Sequence, residues 1–429
     1  MSGTVLAVPP AASAAPTCFR EVATIVGTPG DDHLVGTAGR DVIVGGGGWD
    51  EIAGRGGGDL LCGGDGPDFL EGGRGDDRVD GGRGSDTAHG GPGTDRIRTG
   101  RGPVEALFGG PGADRLSGGA GSFDGLIGGA GSDRMDGGPG QDIAHFFDAP
   151  GGVVADLETD TATGHGSDVV LDIEGLAGSN FDDELRGDDG SNLLVGQEGN
   201  DTILARGSGA MTERADLLDG GPGDDVLDGG EGGDLVTFED ADTEVTVDLS
   251  LGTAAGWGSD SMSEIEGAIG SFFDDALIGD AADNAFAGGA GDDEIDGGPG
   301  VDEVAYYDAR GGVVVDLTVG AATGWGSDTL ANLEDVTGSA RADRLVGDTL
   351  ANAIEGGSGR DVLVGRAGDD DLRGGDGTDR ANGGEGADAC DAERELNCES
   401  DPAVGMRSAS TAAWLGVWRG WPAAIRRHG

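Results

Sequence analysis

The feature that most constrains this chain is a nine-residue repeat that begins at Gly27. The first units read GTPGDDHLV, GTAGRDVIV and GGGGWDEIA, and the register continues through 13 consecutive units to His145. Gly stands at position 1, usually at position 2 and again at position 4, while position 8 is apolar. Position 6 is Asp in 11 of the 13 units: Asp32, Asp41, Asp50, Asp59, Asp68, Asp77, Asp86, Asp95, Asp114, Asp133 and Asp142.

The constant register of the repeat indicates an ordered structure and not a disordered polyanion. The 429 residues include 82 Asp and Glu against 26 basic residues, all Arg, with 93 Gly and 4% aromatic residues. That composition is typical of disorder, but a disordered tail has no reason to keep one apolar residue in step with one acid. We therefore predict Gly-rich turns joined to short half-buried strands. Stacking such units lines their apolar side chains into one internal column, as in a solenoid.

The same composition excludes several classes of protein. A formal charge of −56 leaves no basic face for a nucleic-acid partner, and Gly lacks the three-residue period of collagen. No run of residues reaches the ~18 to 20 apolar residues of a membrane span. The acids therefore either face solvent or face bound cations.

The turn chemistry favours cations, and calcium in particular. Glycine leaves backbone carbonyls unobstructed, and the Asp at position 6 adds a carboxylate at a fixed place beside them. Calcium takes about 6–8 oxygen ligands, more than one turn offers. Neighbouring coils are therefore expected to share each ion, which would neutralise the acids and link the coils.

Three longer segments interrupt the nonapeptides at 151–179, 244–271 and 311–339. Each contains a GxGxD motif, and its Asp lies 26 residues after the preceding position-6 Asp and 15 before the next in all three copies. This constant spacing predicts wider coils within the solenoid, each with a longer V-x-V-D-L strand in which alternate residues are buried. The acids concerned are Asp168 and Asp183, Asp260 and Asp275, and Asp328 and Asp343.

Shorter repeat blocks follow each wide segment. Three units replace the position-6 Asp by Asn, at Asn192, Asn284 and Asn352, and these are expected to be weaker sites or turn residues. The remaining candidate metal ligands are Asp201, Asp225, Asp234, Asp293, Asp302, Asp361, Asp370, Asp379 and Asp388.

The consensus GGxGxDxUx, with U apolar, resembles the hemolysin-type calcium-binding (RTX) repeat family over about residues 27–391. The resemblance implies an all-β, right-handed parallel β-roll or β-helix solenoid with two nonapeptides per coil. It also implies that calcium binds between the loops, to the position-6 Asp side chains and to loop carbonyls. Two ten-residue units, 99–108 and 118–127, depart from the pattern. Val104 takes the ligand position in the first, and sites beside both units are in doubt.

The four cysteines allow three disulfide pairings. Cys390 and Cys398 flank the end of the last repeat and are expected to clamp it. The resemblance implies that Cys18, before the first repeat, pairs with Cys62. The start of the chain has an A-x-A pattern at Ala12–Ala14 that favours the remnant of a secretory signal, the alternative being a disordered Ala/Pro terminus. We therefore expect a secreted, extracellular protein.

The sequence divides into six segments. These are a signal remnant (1–15), a calcium-binding block with an N-terminal cap (16–145), three blocks that each join a wide coil to repeats (146–237, 238–305 and 306–400), and a basic Trp-containing tail (401–429). The tail has Trp at helical spacing and would either contact a membrane surface or partner, or be poorly ordered.

Function is expected to be structural or adhesive and not enzymatic, because the repeats leave too few residues for a catalytic domain. The alternative is a polysaccharide-modifying enzyme, or its targeting module, that uses the solenoid surface. Trp257 and Trp325 take equivalent places in two wide coils. They are candidate glycan contacts, although packing of the rings over a loop is the favoured explanation. Calcium is the expected cofactor, and an extracellular polysaccharide or cell surface the candidate partner.

Overall fold

The computed structural model describes residues 15–208 and 215–398, and the signal remnant and the Trp-containing tail lie outside these residues apart from Ala15. The described residues form strands and turns without a helix, so none contains a helix able to cross a membrane. They divide into two compact units, one of residues 15–144 with 166–173 and one of residues 145–165 with 174–398.

One coil consists of two nonapeptides, and each strand pairs in parallel with the strand 18 residues away. Leu60–Asp65, for example, pairs with both Val42–Gly47 and Arg78–Arg83. Alternate nonapeptides contribute strands to two different sheets, and the position-8 residues of both sheets point inward. Ile43, Leu61, Ile52 and Leu70 are each 0% exposed, so the predicted internal column of apolar side chains is confirmed.

The first compact unit, residues 15–144 with 166–173, contains two parallel sheets and one N-terminal antiparallel pair, β1 with β2. One sheet joins β3, β5, β7, β9, β11, β13, β15 and β19, and the other joins β4, β6, β8, β10, β12, β14 and β16. The strands, numbered in chain order, are β1 Thr17–Cys18, β2 Glu21–Val22, β3 Ile25–Val26, β4 His33–Val35, β5 Val42–Gly47, β6 Glu51–Ala53, β7 Leu60–Asp65, β8 Phe69–Glu71, β9 Arg78–Arg83, β10 Thr87–His89, β11 Arg96–Arg101, β12 Val104–Phe108, β13 Arg115–Gly119, β14 Phe123–Ile127, β15 Arg134–Asp136, β16 Ile143–His145 and β19 Ser167–Leu171.

The second unit repeats this architecture. Its strands are β17 Val154–Asp156, β18 Thr161–Thr163, β20 Gly175–Ala177, β21 Glu184–Arg186, β22 Leu193–Val195, β23 Thr202–Ser208, β24 Leu217–Asp219, β25 Val226–Glu231, β26 Leu235–Thr237, β27 Thr246–Asp248, β28 Thr253–Ala255, β29 Ser259–Ser263, β30 Gly267–Ile269, β31 Ala276–Ile278, β32 Ala285–Ala287, β33 Glu294–Asp296, β34 Glu303–Ala305, β35 Val314–Asp316, β36 Ala321–Thr323, β37 Ser327–Ala331, β38 Asp335–Thr337, β39 Arg344–Val346, β40 Ala353–Glu355, β41 Ser358–Gly359, β42 Val362–Ala367, β43 Asp371–Arg373, β44 Asp376–Gly377, β45 Arg380–Glu385, β46 Ala389–Asp391 and β47 Arg394–Leu396.

The wide coils insert antiparallel strands into an otherwise parallel sheet. In the second wide coil β27, β28 and β29 form a meander, and β35, β36 and β37 repeat it in the third. Alternate burial of the V-x-V-D-L run is confirmed, since Val245 and Val247 are buried and Thr246 is exposed. The prediction of a longer strand is wrong. β27 has three residues, because the Asp248 carboxylate accepts the Leu251 N–H and turns the chain back.

Two disulfides, Cys18–Cys62 and Cys390–Cys398, close the two ends of the repeats as expected. Cys18 is completely buried against Val42 and Leu60, with Phe19 packed beside them. The first disulfide therefore fixes the β1–β2 hairpin to the first coils of the solenoid.

Removing the first disulfide should destabilise the protein more than removing the second. The bonded cysteines are 44 residues apart in the first pair and 8 in the second. Loop-closure entropy then gives about 4 kcal/mol for the first and about 2.5 kcal/mol for the second. Denaturant unfolding of C18S/C62S and C390S/C398S in saturating calcium measures both losses. Equal losses would contradict the loop-length argument.

Candidate metal-binding turns

The position-6 acids form rows that run from coil to coil. The backbone N–H of Asp59 donates to Oδ1 of Asp77, and that of Asp77 to Oδ1 of Asp95, both at 2.7 Å. A second row runs through Asp50 and Asp68, with an N–H to Oδ1 distance of 2.9 Å. These carboxylates are 0–3% exposed. The parallel pairing of successive coils therefore places one buried carboxylate directly above the next.

The second oxygen of these carboxylates has no hydrogen-bond donor. In the described residues, Oδ2 is buried and accepts no hydrogen bond in Asp50, Asp59, Asp68, Asp77, Asp86, Asp95, Asp114, Asp201, Asp225, Asp234, Asp293, Asp302, Asp361, Asp370, Asp379 and Asp388. An anionic oxygen buried without a partner is strongly destabilising. A bound cation would supply the missing partner.

Backbone carbonyls supply the other oxygens beside each carboxylate. A Cβ placed on Gly45 would lie 2.3 Å from Oδ2 of Asp50 and 2.7 Å from the carbonyl oxygen of Gly63 on the next coil. A carboxylate and a carbonyl of adjacent coils thus border the space that a side chain at position 1 would fill. Glycine at position 1 keeps that space open.

This donor set fits calcium. No three His, Cys, Asp or Glu side chains of the described residues cluster as a metal site, whereas a structural zinc is usually bound by four side chains. Calcium instead accepts carboxylates together with backbone carbonyls in flexible geometry. When bound, the ion would supply positive charge to the Asp rows and link adjacent coils.

Without a cation, burial raises the pKa of the row carboxyls. The pKa of Asp86 and of Asp95 rises to about 7, and that of Asp201 and of Asp234 to about 8, in each case chiefly because burial removes solvent from the charged form. At neutral pH the metal-free fold must therefore either bind protons or tolerate buried negative charge.

Acidification should stabilise the metal-free fold and weaken calcium binding. These folded-state pKa values lie above the unfolded value of about 4. Their stabilising contribution is therefore complete below pH 4 and is lost as the pH rises through about 6 to 8. Calcium-free protein should gain β signal in far-UV circular dichroism between pH 8 and pH 5.5. The calcium midpoint should rise over the same range, because protons compete for the same oxygens. Sedimentation serves as the control for association of chains near the pI. A circular dichroism spectrum of the calcium-free protein that did not change with pH would contradict this prediction.

The structure corrects the interpretation of the two ten-residue units. Val104 is 49% exposed and is not at the ligand position, whereas Glu105 is 2% exposed. The extra residue lies between the position-4 Gly102 and the acid, so that Glu105 is two residues before the buried Leu107. Asp124 is placed in the same way and pairs in register with Glu105 across β12 and β14. All four carboxylate oxygens of this pair are buried, and both of those of Asp124 lack a hydrogen bond.

Other acids that the repeat pattern missed also lie in the rows. The Asn192 N–H donates to Oδ1 of Asp216 at 2.6 Å, and the Asp234 N–H donates to Oε2 of Glu266 at 2.8 Å. Glu334 accepts the Asp302 N–H in the same manner. Each of these acids precedes a buried apolar residue by two positions. That spacing, counted backwards from position 8, is the sequence signal that finds them.

The wide-coil acids join the rows as their spacing predicted. Asp168, Asp260 and Asp328 accept the N–H of Asp133, Asp225 and Asp293 at 2.8, 3.1 and 3.3 Å. In the third wide coil the Tyr306 hydroxyl also donates to Oδ2 of Asp328 at 2.8 Å. Asp133 and Asp142 are buried members of the rows as well.

The first two turns of each repeat block are different. Asp32, Asp41, Asp183, Asp275 and Asp343 are in register with the rows, but each already accepts a hydrogen bond from its own turn. The donor in each case is the backbone N–H of the Thr or Ser at position 2.

The two candidate glycan contacts are half-buried. Trp325 has a buried indole N–H, and the Arg310 guanidinium lies 5.6 Å from its ring centroid. The equivalent His165 is near Asp148, with Nδ1 3.5 Å from the carboxylate. More exposed aromatic side chains occur elsewhere, at Trp49, Phe147, Phe181 and Phe273.

Replacing Glu105 should weaken calcium binding, whereas replacing its neighbour should not. Glu105→Gln removes the charge of a buried carboxylate whose pKa burial raises to about 8. We expect the calcium midpoint of folding to rise several-fold. Val104→Ala is the matched control and should change stability by less than about 0.5 kcal/mol. A calcium titration followed by circular dichroism measures both. An equal effect of the two variants would show that Glu105 is not a ligand.

Comparison with known proteins agrees with this site. The family model of the RTX calcium-binding nonapeptide repeat matches residues 26–61, 63–97, 108–144, 176–207, 212–238, 269–304, 337–372 and 355–390. A search of curated proteins found no match. Since the matched segments make up more than half of the chain, it belongs to the family of RTX calcium-binding nonapeptide repeat proteins.

Proposed function

We propose that this calcium-binding repeat protein works outside the cell as a structural or adhesive element that calcium folds. The observation that carries the proposal is the row of buried carboxylates whose Oδ2 atoms accept no hydrogen bond. Such rows disfavour folding at low calcium and favour it at the millimolar calcium of extracellular fluids. The two disulfides support the same compartment, since they persist in oxidising surroundings.

The role we propose is non-catalytic. The buried acids are arranged one per turn in continuous rows, and the hydrogen bonds along each row run from coil to coil. Among the described residues, that arrangement favours the linkage of coils over the convergence of several acids on one substrate. Adhesion would use the outer surface of the solenoid, where Trp49 and Phe273 are about half exposed.

The proposal is tested by measuring calcium bound per chain and surface binding together. Equilibrium dialysis should find several ions per chain. Labelled calcium-loaded protein should then be retained on a panel of polysaccharides or on intact cells, and lose that retention in chelator. W257A/W325A separates a role of these rings from one of the more exposed aromatics. Absence of calcium binding would refute the proposal, and depolymerisation of a uronate polymer by the folded protein would favour an enzyme instead.

A further inference from the structure

The residue at position 2 gives the turns two backbone states. In one state position 2 has a positive φ, as in Gly73 (101°) and Gly91 (96°). The N–H of these two glycines donates to a carbonyl of the next coil, and the N–H of Gly221 and of Gly298 donates to the Asp side chain two residues earlier. Arg55, Gln197 and Arg366 adopt the same state with φ of 76–80°. We call these open turns. Among the nonapeptide turns, the buried carboxylates that lack a donor for Oδ2 all belong to open turns.

In the other state the position-2 N–H donates to the acid of its own turn. Thr37 donates to Asp41 at 2.6 Å, Ser271 to Asp275 at 2.6 Å and Ser339 to Asp343 at 2.7 Å. The hydroxyl groups donate to the same carboxylates. We call these closed turns. They are the turns of Asp32, Asp41, Asp183, Asn192, Asp275, Asn284, Asp343 and Asn352.

The sequence separates the two states independently of these hydrogen bonds. Asn replaces Asp at position 6 in three closed turns, and each Asn Oδ1 accepts the position-2 N–H at 2.8–2.9 Å. The open turns keep a carboxylate. A neutral acceptor is therefore sufficient in a closed turn, whereas the open turns retain a negative charge.

Closed turns occur in consecutive pairs, and each pair makes one complete coil. These closed coils are residues 27–44, 178–195, 270–287 and 338–355, at the start of the repeats and directly after each wide coil. In the closed coils that follow a wide coil, Oδ1 of the position-6 Asp also accepts a hydrogen bond. Val245 donates its N–H to Asp275 and Val313 donates to Asp343, both at 2.7 Å. Both oxygens of these carboxylates thus have protein donors.

Each closed coil also positions the first open carboxylates beyond it. The Asp41 N–H donates to Oδ1 of Asp59, and the Asp275 N–H donates to Oδ1 of Asp293, at 2.7 and 2.9 Å. A coil with satisfied acids therefore precedes each stack of open turns and holds the first ligands of that stack in place.

We propose that calcium binds only at the open turns, and that the closed coils are calcium-independent coils from which each calcium-loaded stack extends. This inference rests on the proposed calcium binding and adds which turns take the ion. In a closed turn the cation would have to displace two or three hydrogen bonds from the carboxylate. In an open turn it meets a buried oxygen that lacks a donor.

Matched Asp→Asn variants test the proposal in the full-length chain. Asp41→Asn and Asp275→Asn change closed turns, and Asp77→Asn and Asp293→Asn change open turns of the same rows. Asn keeps one acceptor oxygen in every case, whereas the carboxylate of Asp275 accepts through both oxygens. Both closed variants should bind as many ions per chain as the unmodified protein. Asp41→Asn should also fold at a calcium concentration within twofold of it, whereas Asp275→Asn loses one of two engaged acceptor oxygens and is therefore judged by its ion count. The open variants should lose at least one ion and need several-fold more calcium.

Calcium per chain is measured by equilibrium dialysis with elemental analysis, and folding by circular dichroism. If the open variants do not fold, the number of ions bound by the two closed variants still tests the proposal. Loss of an ion from Asp41→Asn or Asp275→Asn overturns the proposal. A failure of the unmodified protein to bind calcium would instead overturn the proposed function on which it rests.

Discussion

Chelation of calcium at pH 7.5 is expected to convert the protein from a β-rich fold to a largely unfolded chain. Each open turn buries an acid, and burial raises the pKa of many of these carboxyls to about 6 to 8. Ionised carboxylates therefore oppose folding at pH 7.5 unless a cation neutralises them. The formal charge of −56 adds repulsion between coils.

Calcium is expected to reverse this balance, because the coiled state brings together the oxygen ligands that the unfolded chain keeps apart. A ligand present at 100 times its Kd stabilises the folded state by about 2.7 kcal/mol per site. Several sites acting together should therefore make folding steep in calcium concentration. The measurement is far-UV circular dichroism of dialysed protein titrated with calcium, with calorimetry for the melting temperature at each concentration.

Magnesium and sodium chloride are the matched controls. Magnesium requires near-octahedral geometry at about 2.0–2.1 Å and retains its waters, so it should not replace calcium at equal concentration. Sodium chloride screens exposed charge but does not supply ligands to the buried oxygens. A spectrum that is unchanged by chelator, or that 0.5 M salt restores fully, would contradict the role given to the Asp rows.

The nonapeptide pattern was sufficient to predict the stacking of units and the core, and the resemblance to the RTX family added that two nonapeptides make one coil. One apolar residue and one acid at fixed positions in nine give a column such as Leu61 and Leu70 and rows such as Asp59 and Asp77, since parallel stacking repeats every contact. The three wide coils were also predictable, because their spacing preserved the register on both sides. Local spacing is enough where every coil meets an equivalent neighbour.

Three features depended on contacts that spacing does not encode. Counting six residues from the start of the unit predicted Val104 at the ligand position in the row of acids. The strand with buried Leu107 instead sets the register, and it places Glu105 at that position. The difference between open and closed turns depends on the φ angle at position 2 and on whether the N–H there reaches the position-6 side chain of its own turn. The half-burial of Trp325, whose ring centroid lies 5.6 Å from the Arg310 guanidinium, is a tertiary feature that spacing does not encode.

Gly75→Ala should be among the most damaging single substitutions in the protein. Gly75 is a position-4 glycine with a φ of +129°, and a Cβ there would lie 1.5 Å from the carbonyl oxygen of Gly57 on the preceding coil. The clash is with backbone, and the same row continues at Gly93, where a Cβ would lie 1.8 Å from the Gly75 carbonyl. Relief would require the coils to separate at the turns that hold the acids.

The expected loss is at least about 3 kcal/mol, since backbone strain at a positive φ and overpacking each contribute about 1–3 kcal/mol. Because separation of the coils also moves the carbonyls away from the carboxylates, the calcium midpoint should rise with the loss of stability. Gly30→Ala is the control. Gly30 is exposed, has no positive φ, and its Cβ would meet nothing closer than Thr28 Oγ1 at 4.0 Å. The melting temperature and the calcium midpoint should be unchanged in Gly30→Ala. If Gly75→Ala behaved like this control, the coils would not stack as closely as the carbonyl distances indicate.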